Sequence, residues 1–422
     1  MHIWAADVEL SLNRSDGVYR KNEPVVCLVS VKEHGRALKA GKIRLSIVKN
    51  GVHELDGEEQ PVKNGRAVFD IGRFDEAVWL QFAAILQGTE DKDQIGMVVA
   101  PDLFTPGLPE PEDLDDFWAA QKKELCSLSS CAEWTPVEQD RRDVECFDIQ
   151  ISCAGPRPAS GYYVRPVGAK KRSLPAVLFL HSAGVSASWN LSSPQTAVSY
   201  AVRGNGSICM DLNAHGLPNG QSAEFYQELE RGALKNYAGQ GLESPEKYYF
   251  RFMYLRLLQA VEFLASQPEW NGRMLAIGES QGGGQALAAA ALDPRVTDVV
   301  VQVPAMCDFS GVFAGRAVGW PKPVSSNTDW ASFSTAAYFD NAYLAGRSHA
   351  NTVIEVGLID LVCPPPAVYA AYNRLNGKKK IITVPYRSHH SPSGVHRSDW
   401  QKGPSRQRER FVDQFLTAQS TL

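Results

Sequence analysis

Met274-Leu275-Ala276-Ile277, then Gly278-Glu279-Ser280-Gln281-Gly282-Gly283-Gly284, then an Ala-rich run from Gln285 to Leu292: this stretch decides the reading of the chain. The first four residues are an apolar strand and the last eight a helix, so the serine of G-x-S-x-G falls on the turn between them. Such a turn is sharp and lifts the serine Oγ clear of the sheet, where it can act as a nucleophile. Glycines are needed on both sides because a Cβ there would collide with neighbouring backbone. The run of three glycines is not a phosphate cradle, since the Lys-Ser/Thr of a P-loop is missing; close packing of the helix start explains it.

Working outward, strands and helices alternate from about residue 145. Pro175-Ala176-Val177-Leu178-Phe179-Leu180 is almost continuously apolar, as a strand buried on both faces should be. Ser207-Ile208-Cys209-Met210 resembles a neighbouring strand, and Val299–Val303, Val353–Val356 and Ile381–Val384 supply more. Between them, Phe252, Leu255, Leu258, Val261 and Leu264 recur at spacings of three and four and predict a helix from about Tyr248 to Ser266. This alternation predicts a mainly parallel sheet covered by helices on both sides, which with the serine turn is the α/β-hydrolase fold.

A serine hydroxyl needs a histidine to take its proton and a carboxylate to orient that histidine, and in this fold they follow in the order Ser, acid, His. Asp360 lies just past Val353-Ile354-Glu355-Val356, where open α/β sheets hold their functional groups. After the next strand comes Pro385-Tyr386-Arg387-Ser388-His389-His390. His389 follows the strand most directly and is favoured over His390 and His396. Paired histidines can also bind metal, but no carboxylate or cysteine spacing nearby supports a site, and neither a metal nor another cofactor is expected. The oxyanion of acyl transfer needs backbone donors, for which the N–H groups of Gln281 and of Ala183, in Leu180-His181-Ser182-Ala183-Gly184, are the candidates.

The start of the chain is different. Residues 1–100 hold short β-prone runs, Val25–Val31, Ile43–Val48 and Val78–Phe82, with turn dipeptides at Asn50-Gly51 and Asn64-Gly65. They predict a small all-β, immunoglobulin-like sandwich, acting as a spacer or as a binding module. Residues 101–112 carry Pro101, Pro106, Pro109 and Pro111 and read as an extended linker. Residues 113–422 form the catalytic domain, opened by a helix whose Phe117 and Trp118 anchor it.

A net charge of -4 gives no basic footprint for nucleic acid or an anionic membrane. Neither a membrane span nor a secretory leader is legible, so the chain as written is expected in the cytoplasm; a trimmed leader would instead leave it periplasmic or secreted. None of the eight cysteines forms a C-x-x-C pair.

Several separated motifs resemble the acetyl xylan esterase and cephalosporin C deacetylase family, carbohydrate esterase family seven, over roughly residues 113 to 417. They are Gly278–Gly284, Gly357-Leu358-Ile359-Asp360-Leu361-Val362-Cys363-Pro364-Pro365 with Ala370–Asn373, Val303-Pro304, Asp308-Phe309 and Tyr338-Phe339-Asp340. The resemblance implies cofactor-free removal of acetyl groups from small acetylated carbohydrates, with Asp360 as acid and His389 as base, and a possible ring-like homo-oligomer. Three places depart from the family's pattern: Asn213-Ala214-His215 replaces an Arg-Gly-Gln stretch, His389-His390 a His-Glu pair, and Ser182-Ala183 a Gly-Tyr. The first two suggest that an ion pair between those loops is lost. Residues 310–347 are long enough to cover the site, and Trp320 and Trp330 within them could stack on sugar faces. An esterase for aryl esters or antibiotics, a peptidase, or a lapsed carbohydrate-binding protein are the alternatives.

Overall fold

The computed structural model describes residues 6–128 and 131–418. The first nine strands form two sheets: β1 (Ala6–Leu12), β2 (Val18–Tyr19), β3 (Val25–Glu33), β4 (Arg36–Ala37), β5 (Lys42–Lys49), β6 (His53–Pro61), β7 (Arg66–Gly72), β8 (Val78–Leu86) and β9 (Lys92–Val99). One sheet joins β1, β3, β4 and β7, the other runs β2-β9-β8-β5-β6. Leu10, Val29 and Phe69 from the first sheet and Leu45, Phe82 and Met97 from the second share one buried core. The alternation of buried and exposed residues along β3 and β7 is that of sheets with one face in the core. Asn50-Gly51 and Asn64-Gly65 take positive φ at both residues, as tight hairpins require.

The prolines that follow do not make a free spacer. Phe104 is buried, the Tyr343 hydroxyl donates to the Leu108 carbonyl at 3.0 Å, and Glu110 pairs with Arg347 and Arg374. The next helix, Leu114–Ser127, is anchored as its aromatics suggest: Trp118 Nε1 donates to the Tyr338 carbonyl at 2.8 Å, and the Phe117 and Tyr338 rings lie 4.7 Å apart.

The remaining strands form a single nine-stranded sheet. They are β10 (Ala132–Pro136), β11 (Val144–Ile151), β12 (Ala159–Pro166), β13 (Leu174–Leu180), β14 (Ile208–Asn213), β15 (Trp270–Glu279), β16 (Asp298–Gln302), β17 (Asn351–Gly357) and β18 (Lys379–Val384). Their order is β10-β11-β12-β14-β13-β15-β16-β17-β18, parallel from β14 to β18 and antiparallel at the β10–β12 end. Pro175 sits near the start of central β13, where the pairing to β15 skips it, so its missing N–H costs no ladder bond.

Each central strand serves two cores. Ala176, Leu178, Met274, Ala276, Val299 and Ile354 join the core containing the helices Tyr249–Ser266 and Gln281–Leu292. Val177, Leu275, Ile277, Val300 and Val353 face the opposite way, onto Val412, Phe415 and Leu416 of the last helix. Two covered faces leave the carboxyl ends of the strands as the place where polar groups can gather.

Candidate active site

At that edge, Ser280 joins β15 to the helix Gln281–Leu292 with φ 55 and ψ -118, a conformation that costs a non-glycine residue about 1–3 kcal/mol. The close packing that imposes it is visible in the flanking glycines. A Cβ on Gly278 would come within 2.2 Å of the Gly282 carbonyl carbon, and one on Gly282 within 2.1 Å of the Leu180 carbonyl oxygen. Ser280 is only 4% exposed, yet it lines a cavity of about 650 Å³.

The structure brings together the three residues singled out in the sequence. Ser280 Oγ lies 2.9 Å from His389 Nε2, and His389 Nδ1 lies 2.9 Å from Asp360 Oδ2. The second oxygen of Asp360 accepts from the backbone N–H groups of Val362 (2.7 Å) and Cys363 (2.8 Å), so the carboxylate is held by its own turn. With Nδ1 donating to Asp360, Nε2 is left to accept from the serine. His390 is exposed and turns its ring edgewise to His389 at 5.8 Å.

Gln281 is the first residue of its helix, so its N–H is one of the donors a helix start leaves free. Across the cavity, Asn190 Nδ2 donates to the carbonyls of both Ser182 (3.1 Å) and Ala183 (2.8 Å) and so fixes that loop. Tyr237 links the two sides, donating to Gln281 Oε1 at 2.7 Å while its hydroxyl accepts from Gly184 N at 3.3 Å.

His215, which the sequence did not single out, braces the same loop. It is buried, its Nε2 lies 2.9 Å from the Gly184 carbonyl and its Nδ1 2.7 Å from the Tyr249 hydroxyl. Burial pushes its pKa down to about 3. The ring is therefore neutral, donates from Nε2 to the carbonyl and accepts from the tyrosine. His181 is the opposite case. Its two nitrogens face the Asp211 carboxyl and the Trp189 carbonyl; burial opposes its charge, but the charge of Asp211 and the hydrogen bond to it raise its pKa above the ordinary histidine value.

The lost-ion-pair expectation finds a different local answer. Asn213 is buried and its Oδ1 caps the N–H groups of His215 and Leu217 within its own turn. No hydrogen bond joins it to His390 among the described residues. The His389 loop is tied elsewhere, through Arg387. This wholly buried guanidinium bonds Glu279 at 2.8 Å and Gln302 at 3.1 Å and pairs with Glu355, which also pairs with Arg408 and accepts from Trp400 Nε1. No motif signals this network, because its members are distant in the chain.

Trp320 lines the cavity; Trp330 does not, and packs on Phe313 at 4.5 Å. Trp189, which the sequence did not single out, stands 71% exposed on the cavity wall. Possible metal ligands in the site are Asp360, Cys363 and His389, whose donor atoms lie within 4.8 Å of one another. Closing them on an ion would take His389 from Ser280 and Asp360 from His389, and burial pushes the Cys363 thiol far from its ligating, ionised form.

The acetyl xylan esterase family model matches residues 103–402, beginning just after β9. The chain belongs to the acetyl xylan esterase family. Acetyl esterase Axe7A of Xylanibacter ruminicola is 28% identical over 391 residues, 90% of this chain and 86% of that one. The solved acetyl xylan esterase from Paenibacillus sp. R4 superposes with a TM-score of 0.58 at 25% identity, covering 74% of this chain and 98% of its own. Acetyl xylan esterase 1 from Thermoanaerobacterium sp. JW/SL YS485 gives 0.59 at 25%, covering 75% and 97%. The protein is thus a carboxylic ester hydrolase with the α/β esterase fold. Among the described residues, no helix of this esterase is long and apolar enough to cross a membrane.

Proposed function

We propose that the esterase removes O-acetyl groups from small acetylated carbohydrates through an acetyl-enzyme on Ser280. Ser280 Oγ attacks the ester carbonyl as its proton passes to His389 Nε2, with Asp360 holding the imidazole tautomer and stabilising its charge. The oxyanion receives N–H groups from Gln281 and Ala183, donors worth roughly 10²–10³ in rate each. The sugar hydroxyl leaves with the proton from His389. Water then attacks the acetyl carbonyl, gives its proton to His389 and releases acetate, and Ser280 recovers its hydrogen.

The observation that carries this reading is the unbroken line from Asp360 through His389 to Ser280 beside a cavity walled by Trp189 and Trp320. Aromatic faces beside a polar edge suit a pyranose ring. In the test, Ser280→Ala abolishes hydrolysis of nitrophenyl acetate and of acetylated xylo-oligosaccharides while the melting temperature is kept. Unchanged turnover in that variant ends the proposal.

A second reading rests on the apolar part of the same cavity's lining, which includes Phe179, Ile277, Val300 and Val412. Such a lining suits an aryl group, and a preference for aryl over sugar acetates would select this alternative.

A further inference from the structure

The β strands that precede the family-matched region end against the two loops of the proposed triad. Trp79 of β8 is wholly buried, and it belongs to the core of the catalytic unit instead of the core between its own two sheets. Its Nε1 donates to the Leu358 carbonyl at 2.7 Å, two residues before Asp360. The N–H of the same Leu358 donates to Val384 O at 3.0 Å, and Ile359 N to Arg387 O at 3.1 Å. The turn bearing the acid is thus fastened on one side by the strand that leads to His389 and on the other by an indole from the β unit.

Next to Trp79, Gly96 of β9 donates its N–H to the Pro385 carbonyl at 2.8 Å, four residues before His389. A Cβ at Gly96 would lie 1.9 Å from the Leu358 carbonyl oxygen, so the contact is backbone against backbone and leaves no slack. A third tie reaches the covering segment: Ala317 N donates to Asn50 O at 2.9 Å, and Trp320 N in turn to Val362 O at 2.7 Å. Acid loop, base loop and cover therefore each receive a direct bond from the β unit or from a neighbour it holds.

We infer that Trp79, with Gly96 beside it, is a positioning residue for hydrolysis: the N-terminal β unit is a clamp that sets the Asp360 and His389 loops, not a spacer. The inference rests on the triad reading above. A carboxylate displaced by an ångström loses the alignment on which His389 depends, and such misplacement from a remote change can cost about 100-fold in rate. Trp79→Phe removes the N–H donor and keeps a large ring. The clamp requires a fall in kcat of roughly 10- to 100-fold with KM within about two-fold. It also requires a shift of the pH profile of kcat/KM, because the partner of His389 has moved.

Stabilisation alone would act otherwise, so three measurements separate the two. Val29→Ala, in the β unit's own core and away from the loops, should lower the melting temperature and leave kcat and the pH profile unchanged. In an Asp360→Asn background Trp79→Phe should add less than about a two-fold effect, because a residue that works through the acid has nothing left to position. Where turnover is too slow, the rate of fluorophosphonate labelling of Ser280 serves as the readout. Gly96→Ala tests the same contact from the adjacent strand should Trp79→Phe not fold. A Trp79→Phe enzyme that melts earlier with intact kcat and pH profile overturns the inference, as does an equal kcat loss in Val29→Ala or full additivity with Asp360→Asn. The triad reading fails separately, if Ser280→Ala remains active.

Discussion

The β unit and the central sheet of the esterase differ in how many faces of a strand are used. Strand β3 reads buried, half-buried, buried, exposed along its length, with one face in a core and one towards solvent. Strand β13 is buried nearly throughout, because helices lie on both of its faces. Strands β8 and β9 belong to the first unit yet follow the second rule: Val78-Trp79-Leu80 are buried in succession, as are the last five residues of β9. Trp79 and Val98 are cross-strand partners, and both point into the catalytic core. Where alternation breaks in a two-layer β unit, its second face is occupied, and here the occupant is the pair of loops carrying Asp360 and His389.

Changes that strike this comparison at its centre should have the largest effects. Asp360→Asn leaves geometry nearly intact but offers His389 the wrong partner, so kcat on nitrophenyl acetate should fall roughly 10³–10⁴-fold; a loss under ten-fold would remove Asp360 from its assigned role. Trp79→Phe, reaching the same carboxylate from the β unit, comes next. Below it stands His215→Phe, which removes the donor to the Gly184 carbonyl and leaves a buried acceptor unpaired. It should cost about 1–3 kcal/mol of stability and lower kcat about ten-fold with little change in KM. Equal kinetics in that variant would mean that Asn190 and Tyr237 hold the loop of Ser182, Ala183 and Gly184 without it.

Stability gives another view of the two regions. Glu355→Gln strips Arg387 and Arg408 of their shared carboxylate inside the catalytic unit, and breaking a buried pair in this way costs about 3–5 kcal/mol by denaturant unfolding. The smallest effect belongs to the seam between the units. His396 stacks on Tyr386 with ring centroids 4.4 Å apart and reaches Asp93 of β9 at 3.3 Å. The bond to Asp93 raises its pKa, with Glu9 and Asp399 adding to the pull. A raised histidine stabilises fully below its unfolded pKa of about 6.5, and the benefit fades as pH climbs through the folded value. The melting-temperature gap between wild type and His396→Gln should therefore narrow from pH 5.5 to pH 8; a constant gap would show the ring acting by stacking alone.

Most strands of the catalytic sheet were legible because burial on both faces writes itself as an apolar run, as in Pro175–Leu180. The antiparallel β10–β12 end was not: Ala132–Pro136 is largely exposed, and Ala159–Pro166, though mostly buried, carries Ser160 and Gly161 in place of an apolar run. Ser280 was legible from its glycines, and Asp360 and His389 from their places after successive strands. His215, Asn190, Trp189 and the Arg387–Glu355 network were not. His215 reaches Gly184 and Arg387 reaches Glu355 from elements far apart in the chain, while Asn190 and Trp189 lie on an irregular loop; in neither case does a local periodicity report the contact.

By itself, the sequence determined which strands could be central, where the chain must turn too sharply for a Cβ, and the order in which Ser280, Asp360 and His389 follow their strands. Those are local properties of spacing, side-chain size and polarity. Tertiary structure alone decided that a wholly buried indole from residue 79 meets a carbonyl at residue 358. It also decided that β8 and β9 meet the loops carrying Asp360 and His389. Contacts between units depend on how two finished surfaces fit, and that fit is set only once both have folded.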